Sequence, residues 1–415
     1  METPGEFNGI NPVPIPEQRR TLANAVIPLF ATAGILMGNT HLHEAQHDTT
    51  SNGQDHVQTL TQAELGKLQR SNLPFQLTVP MIAHGEDNIN SGFNTQHLGF
   101  DSESIGYAKL PEFKKQIDFI SENGQTEVRF GIPRWEVASL TKDKTDIVWN
   151  EEQLRYFKEA SVYAQSKGLT IFFITTPPEV PDGFSLDSYK EITKKYYERI
   201  ANEFTGVTYQ LGNEYDAHNV LNYGYYEAEI TDEQLATYQE WLEIASSAIH
   251  EVNPSAQITQ SLTGYPMNQE TIEKWKRVHE YIGKYVDVYS LDTYPTSVKN
   301  AKELPFLVNQ FGEWIKERNQ DNDSDIVLIA SEVGVPTLDG VYTEEQQAEI
   351  LTAAITAYKE AGITVIPYQL KDEKSQKKNK TFLEKIEERF GIFRSDGSKK
   401  PAADSVVDAL KKENP

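Results

Sequence analysis

The feature that most constrains this chain is a rhythm. From about Leu73 onward, short β-branched and aromatic runs alternate one for one with longer amphipathic stretches. The runs are Gln76–Ile82, Glu127–Ile132, Thr170–Thr175, Val207–Leu211, Gln257–Leu262, Val286–Leu291, Ile326–Ala330 and Thr364–Leu370. Helical patterns fall between them near 111–123, 150–167, 186–204, 231–252, 269–283, 300–319 and 343–361, with a last one near 402–412. A parallel strand can be reached only by a long crossover, and here each gap holds a helix-length amphipathic pattern, so the alternation predicts a parallel sheet covered by helices. Eight such units over roughly 340 residues favour a closed (β/α)8 TIM barrel over an open doubly wound sheet. No Gly-rich phosphate loop follows the first run, which weakens the dinucleotide-binding alternative further.

A barrel of this kind carries its reactive groups at the C-terminal ends of its strands. The strand pattern is therefore also a prediction of where to look. Arg129, Arg134 and Trp135 belong to the second strand and its end, and Glu179 follows the third. Asn213, Glu214, Tyr215 and Asp216 follow the fourth, with Tyr223, Tyr225 and Tyr226 further along the same loop. Asp292 and Tyr294 follow the sixth, Ser331 and Glu332 the seventh, and Tyr368, Gln369 and Asp372 stand near the end of the eighth. Glu214 and Glu332 are the two carboxylates set where an apolar run gives way to polar residues. A pair so placed can cleave a glycosidic bond if one holds a proton for the leaving oxygen and the other stays ionised.

These residues resemble the retaining glycoside hydrolases of the (β/α)8 superfamily known as clan A. Gly212-Asn213-Glu214 is similar to the clan's acid/base signature at the end of the fourth strand, and Ser331-Glu332-Val333-Gly334 to its nucleophile signature on the seventh. Ser290-Leu291-Asp292-Thr293-Tyr294-Pro295 resembles the sixth-strand segment whose tyrosine touches the nucleophile. Arg129 resembles the arginine that holds the nucleophile ionised, and Phe390–Ala402 the clan's closing segment before the last helix. The likeness spans roughly residues 73 to 412, in motifs that are short but correctly ordered. Two positions depart from it. The eighth strand runs Pro367-Tyr368-Gln369-Leu370 where a tryptophan usually floors the sugar site, and Asp292 stands where a histidine is common.

The resemblance implies Glu214 as acid/base and Glu332 as nucleophile, with no cofactor and no metal. A neighbouring carboxylate would raise the Glu214 pKa, while Arg129 and the Tyr294 hydroxyl stabilise ionised Glu332. Asn213 would donate to the sugar 2-hydroxyl, and Trp135, Tyr215, Tyr265 and Tyr368 would offer flat faces to sugar rings. Asp292 and Gln369 complete the expected supporting set. The function expected is hydrolysis of β-glycosidic bonds in oligo- or polysaccharides by double displacement. A transglycosylase using the same pair, and a non-catalytic glycan-binding barrel, stand as alternatives.

Composition excludes more than it identifies. The net charge of −23 argues against nucleic acid, whose phosphates it would repel, and leaves a carbohydrate partner open. No cysteine means no disulfide and no thiolate metal site. At the N-terminus Arg19-Arg20 precedes an uncharged stretch from Thr21 to Thr40, which predicts export, or anchoring at the outer face of a membrane. Residues 1–40 are then a targeting or anchor segment, 41–72 a polar linker and 73–415 the catalytic domain. His43-Glu44-Ala45-Gln46-His47 matches the zinc-protease pattern H-E-x-x-H, but it sits in that polar linker and reads as solvated chain.

Overall fold

The computed structural model describes residues 92–94, 110–132, 137–176, 186–217, 229–264, 267–318, 326–373 and 382–411. Its elements are β1 (Gly92–Asn94), α1 (Leu110–Glu122), β2 (Glu127–Ile132), β3 (Ala138–Leu140), β4 (Ile147–Trp149), α2 (Glu151–Ser166), β5 (Thr170–Thr175), α3 (Leu186–Glu203) and β6 (Thr208–Leu211). There follow α4 (Asp232–Val252), β7 (Gln257–Thr263), α5 (Gln269–Ile282), β8 (Val288–Thr293), α6 (Val298–Arg318), β9 (Val327–Val333), α7 (Glu344–Glu360), β10 (Thr364–Pro367), α8 (Phe382–Glu387) and α9 (Ala402–Lys411). Eight strands form one sheet in the order β1-β2-β5-β6-β7-β8-β9-β10, with every neighbouring pair parallel. β1 lies alongside β10, so the order returns on itself as a (β/α)8 barrel.

The strands are buried on both faces, which is why they read as near-continuous apolar runs. In β5 alternate residues go to opposite sides. Ile171 and Phe173 join the large layer under the helices, while Phe172 joins Val288, Val327, Ile329 and Ile366 in a separate cluster that fills the barrel. Helix starts are set locally. Thr231 and Thr343 each accept from the backbone N–H three residues on, and Gln234 and Gln346 reach back, giving two capping boxes at α4 and α7.

The barrel departs from the sequence expectation in four places. The strand beside β2 is Gly92–Asn94, whereas the expected first run, Gln76–Ile82, lies outside the described residues. Three residues reading Gly-Phe-Asn carry no periodicity, and only pairing with β2 makes them a strand. The antiparallel hairpin β3–β4 and the short helix α8 are additions to the eight-fold rhythm. Finally, β8 and β9 run on to Thr293 and Val333, so Asp292, Ser331 and Glu332 are strand residues rather than loop residues. Side-chain polarity marks where apolar burial stops, whereas the ladder continues through Asp292 opposite Glu332 and Thr293 opposite Val333.

Candidate active site

Glu332 lies in β9 and is 4% exposed. Its Oε1 accepts from Arg129 Nη1 at 2.5 Å, and its Oε2 accepts from the Tyr294 hydroxyl. Both oxygens thus face donors, one of them charged, which favours the anion. Arg129 is the third residue of β2, not its end, and is fully buried inside the barrel. Burial works against its charge, and the Glu332 and Asp292 carboxylates more than offset that, holding the guanidinium above its ordinary pKa.

Arg129 also links the nucleophile candidate to the Asn213 segment. Its Nε donates to Gln210 Oε1 at 2.8 Å and its Nη2 to Asn213 Oδ1 at 2.9 Å. Gln210 Nε2 and the Ser261 hydroxyl donate to the same Asn213 oxygen, at 2.9 and 3.1 Å. Three donors on one amide oxygen fix its orientation, so the Asn213 amino group is the end turned away from this network. That is the polarity needed to donate to a sugar hydroxyl.

Glu214 follows β6 in a tight turn. Gly212 has φ +77°, and a Cβ there would meet the Tyr215 ring at 2.4 Å. Glu214 itself has φ +50°, a left-handed conformation that is uncommon outside glycine and is retained where neighbours enforce it. Those neighbours are on β7. Glu214 N–H donates to Ser261 Oγ at 2.7 Å, and Thr263 N–H donates to Asp216 Oδ1 at 3.0 Å. Lys274 pairs with the other Asp216 oxygen at 2.7 Å. The Glu214 side chain is 8% exposed, and burial, followed by the charges of Glu332 and Asp216, pushes its pKa up to about 8.

The rest of the mouth is acidic and aromatic. Asp292 in β8 is fully buried, accepts from Ser331 Oγ at 2.6 Å and lies 3.9 Å from Arg129 Nη2. Tyr368 and Gln369, just past β10, are both buried; the Tyr368 ring packs edgewise against Tyr294 and Phe390. Its hydroxyl stands 3.4 Å from Glu387 at the end of α8. Burial, then the charges of Glu373 and Glu332, raises the Glu387 pKa to about 8.

Arg129, Asn213, Glu214, Asp292, Tyr294 and Glu332 come together in one linked cluster, with Tyr368 packed on Tyr294. Tyr215 does not join it as a sugar platform. Its ring is fully buried against Tyr238 and Trp241, because the φ-positive turn before it folds the side chain back onto α4. Asp372 is also structural, holding buried Lys400 at 2.7 Å and so tying down the segment before α9. Trp135, Arg134, Glu179, Tyr223, Tyr225, Tyr226 and Tyr265 lie outside the described residues, as does the H-E-x-x-H pattern. Among the described residues no group of acidic or histidine side chains could hold a metal ion, and no helix is long and apolar enough to cross a membrane.

Sequence reasoning missed Gln210, Ser261 and Glu387. Gln210 and Ser261 had a signal available, since each is a polar residue inside an otherwise buried strand. Glu387 had none, because α8 is only six residues long. The cluster also predicts a stability effect. Arg129→Met keeps the bulk but leaves Glu332 in a buried site without its cation, and should cost about 3–5 kcal/mol of folding free energy. Urea unfolding measures this, and an unchanged midpoint would refute the ion pair's structural role.

No model of a known protein family matches the sequence, and no curated protein sequence is similar to it. Solved structures are similar to it in fold. The exo-β-1,4-mannosidase Op5Man5 from Opitutaceae bacterium strain TAV5 matches with a TM-score of 0.57 at 17% identity, over 79% of this chain. The chain spans only 60% of that protein's length. A GH5_18 protein from Streptomyces cattleya, solved with Manβ1-4GlcNAc, matches with a TM-score of 0.58 at 16% identity, over 79% of this chain and 82% of its own. A GH5-4 broad-specificity endoglucanase from Clostridium longisporum matches with a TM-score of 0.57 at 15% identity, over 78% and 96%. At such identities the likeness establishes the barrel.

Proposed function

We propose that this protein is a retaining β-glycosidase in which Glu332 is the nucleophile and Glu214 the acid/base. The observation that carries the reading is the contrast between the two carboxyls. Glu332 takes a charged donor on one oxygen and a hydroxyl on the other, whereas Glu214 is pushed up to about 8 by burial and by the Glu332 charge. One carboxyl is thus built to be an anion and the other to keep a proton at neutral pH, the division of labour that double displacement needs. The barrel neighbours, among them a mannosidase and an endoglucanase, support the same chemistry.

The steps follow from these positions. Protonated Glu214 delivers its proton to the leaving glycosidic oxygen while a Glu332 oxygen bonds to the anomeric carbon. Glu214, now ionised, takes a proton from water, and that water displaces Glu332 with net retention. Asn213, its oxygen anchored by Arg129, Gln210 and Ser261, donates from its amino group to the sugar 2-hydroxyl. Arg129 and Tyr294 release Glu332 charge into the new bond and recover it in the second step. The substrate proposed is a β-linked oligo- or polysaccharide. Arg19-Arg20 and the apolar stretch behind it support export.

The test is a panel of aryl β-glycosides and β-linked polysaccharides, with the product anomer read by NMR before mutarotation. A β-anomer is expected. An α-anomer as first product would exclude Glu332 as a covalent nucleophile.

A further inference from the structure

Two carboxyls of this cluster share one guanidinium, with a third beside them. Glu332, Asp292 and Glu214 are all at least nine-tenths buried, and Arg129 is the cation common to Glu332 and Asp292. The way donors are shared out decides where the negative charge rests. Glu332 receives the Arg129 Nη1 hydrogen bond and the Tyr294 hydroxyl. Among the described residues Asp292 receives only the Ser331 hydroxyl, on Oδ1 at 2.6 Å. Among them its Oδ2 has no hydrogen-bond partner and stands 3.9 Å from Arg129 Nη2, beyond hydrogen-bond reach. That Nη2 is instead directed to Asn213.

We propose that Asp292 works as an uncharged carboxylic acid, a positioning residue that leaves the charge of Arg129 to Glu332. The groups facing it decide the matter. From β9 come Ser331 and Glu332, which lies directly opposite in the ladder; from β2 comes Arg129; from the turn after β6 comes Glu214. The β7 residue paired with it, Thr263, is uncharged. A fully buried anion with a single neutral donor would be poorly stabilised, and beside ionised Glu332 it would also be repelled. Burial first, then the Glu332 charge, indeed raises Asp292 well above the carboxylate range against the opposing pull of Arg129. An ionised Asp292 would draw the guanidinium off Glu332 and undo the alignment with Asn213. Its significance for turnover rests on the glycosidase reading, but its protonation does not.

Carboxyl 13C NMR on protein labelled at aspartate tests the state directly near neutral pH. The Asp292 signal is assigned by its loss in Asp292→Asn, or in Asp292→Glu if the amide fails to fold. The shift of a protonated acid is expected, and that of a carboxylate would overturn the proposal. In kinetics, Asp292→Asn keeps an uncharged acceptor for the Ser331 hydroxyl, so it should retain at least about tenfold more kcat/KM at neutral pH than Asp292→Leu, which fills the space without one. Losses closer than that in the two variants would overturn the proposal as well. If no glycoside is turned over but the acid signal is present, the catalytic reading fails and the proton on Asp292 stands. An active enzyme with ionised Asp292 is the opposite result.

Discussion

Glu332→Gln should keep the fold and lose turnover of aryl β-glycosides by on the order of 10⁴-fold or more. The amide is nearly isosteric, so its oxygen can still accept from Arg129 Nη1. It carries no negative charge, and a neutral amide does not form the covalent bond to the anomeric carbon. Arg129 is then a buried cation that keeps a hydrogen-bond acceptor but loses its anion, so a clear fall in thermal midpoint should accompany the kinetic loss. Circular dichroism and calorimetry separate the two effects. Turnover within tenfold of wild type would remove Glu332 from the chemistry.

The second large effect is at Glu214, and its pattern is more diagnostic than its size. Removing a general acid/base costs about 10²–10⁴-fold. Glu214→Ala should retain the first step on substrates with good leaving groups, which need little proton assistance, and stall at the glycosyl-enzyme. Azide, which needs no general base, should restore turnover and yield a β-glycosyl azide. The pH profile carries an independent sign. The protonated form is the working form, and burial with the neighbouring Glu332 charge raises it to about 8. Activity should therefore hold through neutrality and fall as pH rises through about 8, and Glu214→Gln should abolish that limb. A wild-type kcat/KM that instead rises through this range would assign Glu214 a different role.

Much of this was legible in the chain. Burial on both faces makes a parallel strand a short apolar run, and seven of the eight barrel strands announced themselves in that way. The runs Glu127–Ile132 and Thr170–Thr175 match β2 and β5 end for end. The candidate pair was picked out for a related reason, since each glutamate stands where such a run gives way to polar residues. The contacts of Arg129 and Tyr294 with Glu332 were expected through the resemblance alone, and how side chains reach one another could not be read from the pattern. Arg129 was expected at a strand end, yet it lies mid-strand and reaches Glu332 through the barrel interior, across 203 positions of chain. Tyr215 looked like a sugar platform because it adjoins Glu214. The left-handed turn that aims Glu214 sends Tyr215 the other way, into α4.

The sequence by itself therefore determined the barrel and which two carboxyls stand at its mouth, because periodicity and strand ends are local properties of a chain. The resemblance implied which carboxyl carries charge, but the donors that bear on it are brought together only by tertiary structure. Protonation in a buried cluster depends on how a few donors are divided, and Arg129, Tyr294 and Ser331 come from three different strands or strand ends. Two of those donors go to Glu332, one goes to Asp292, and Glu214 is left beside the Glu332 charge.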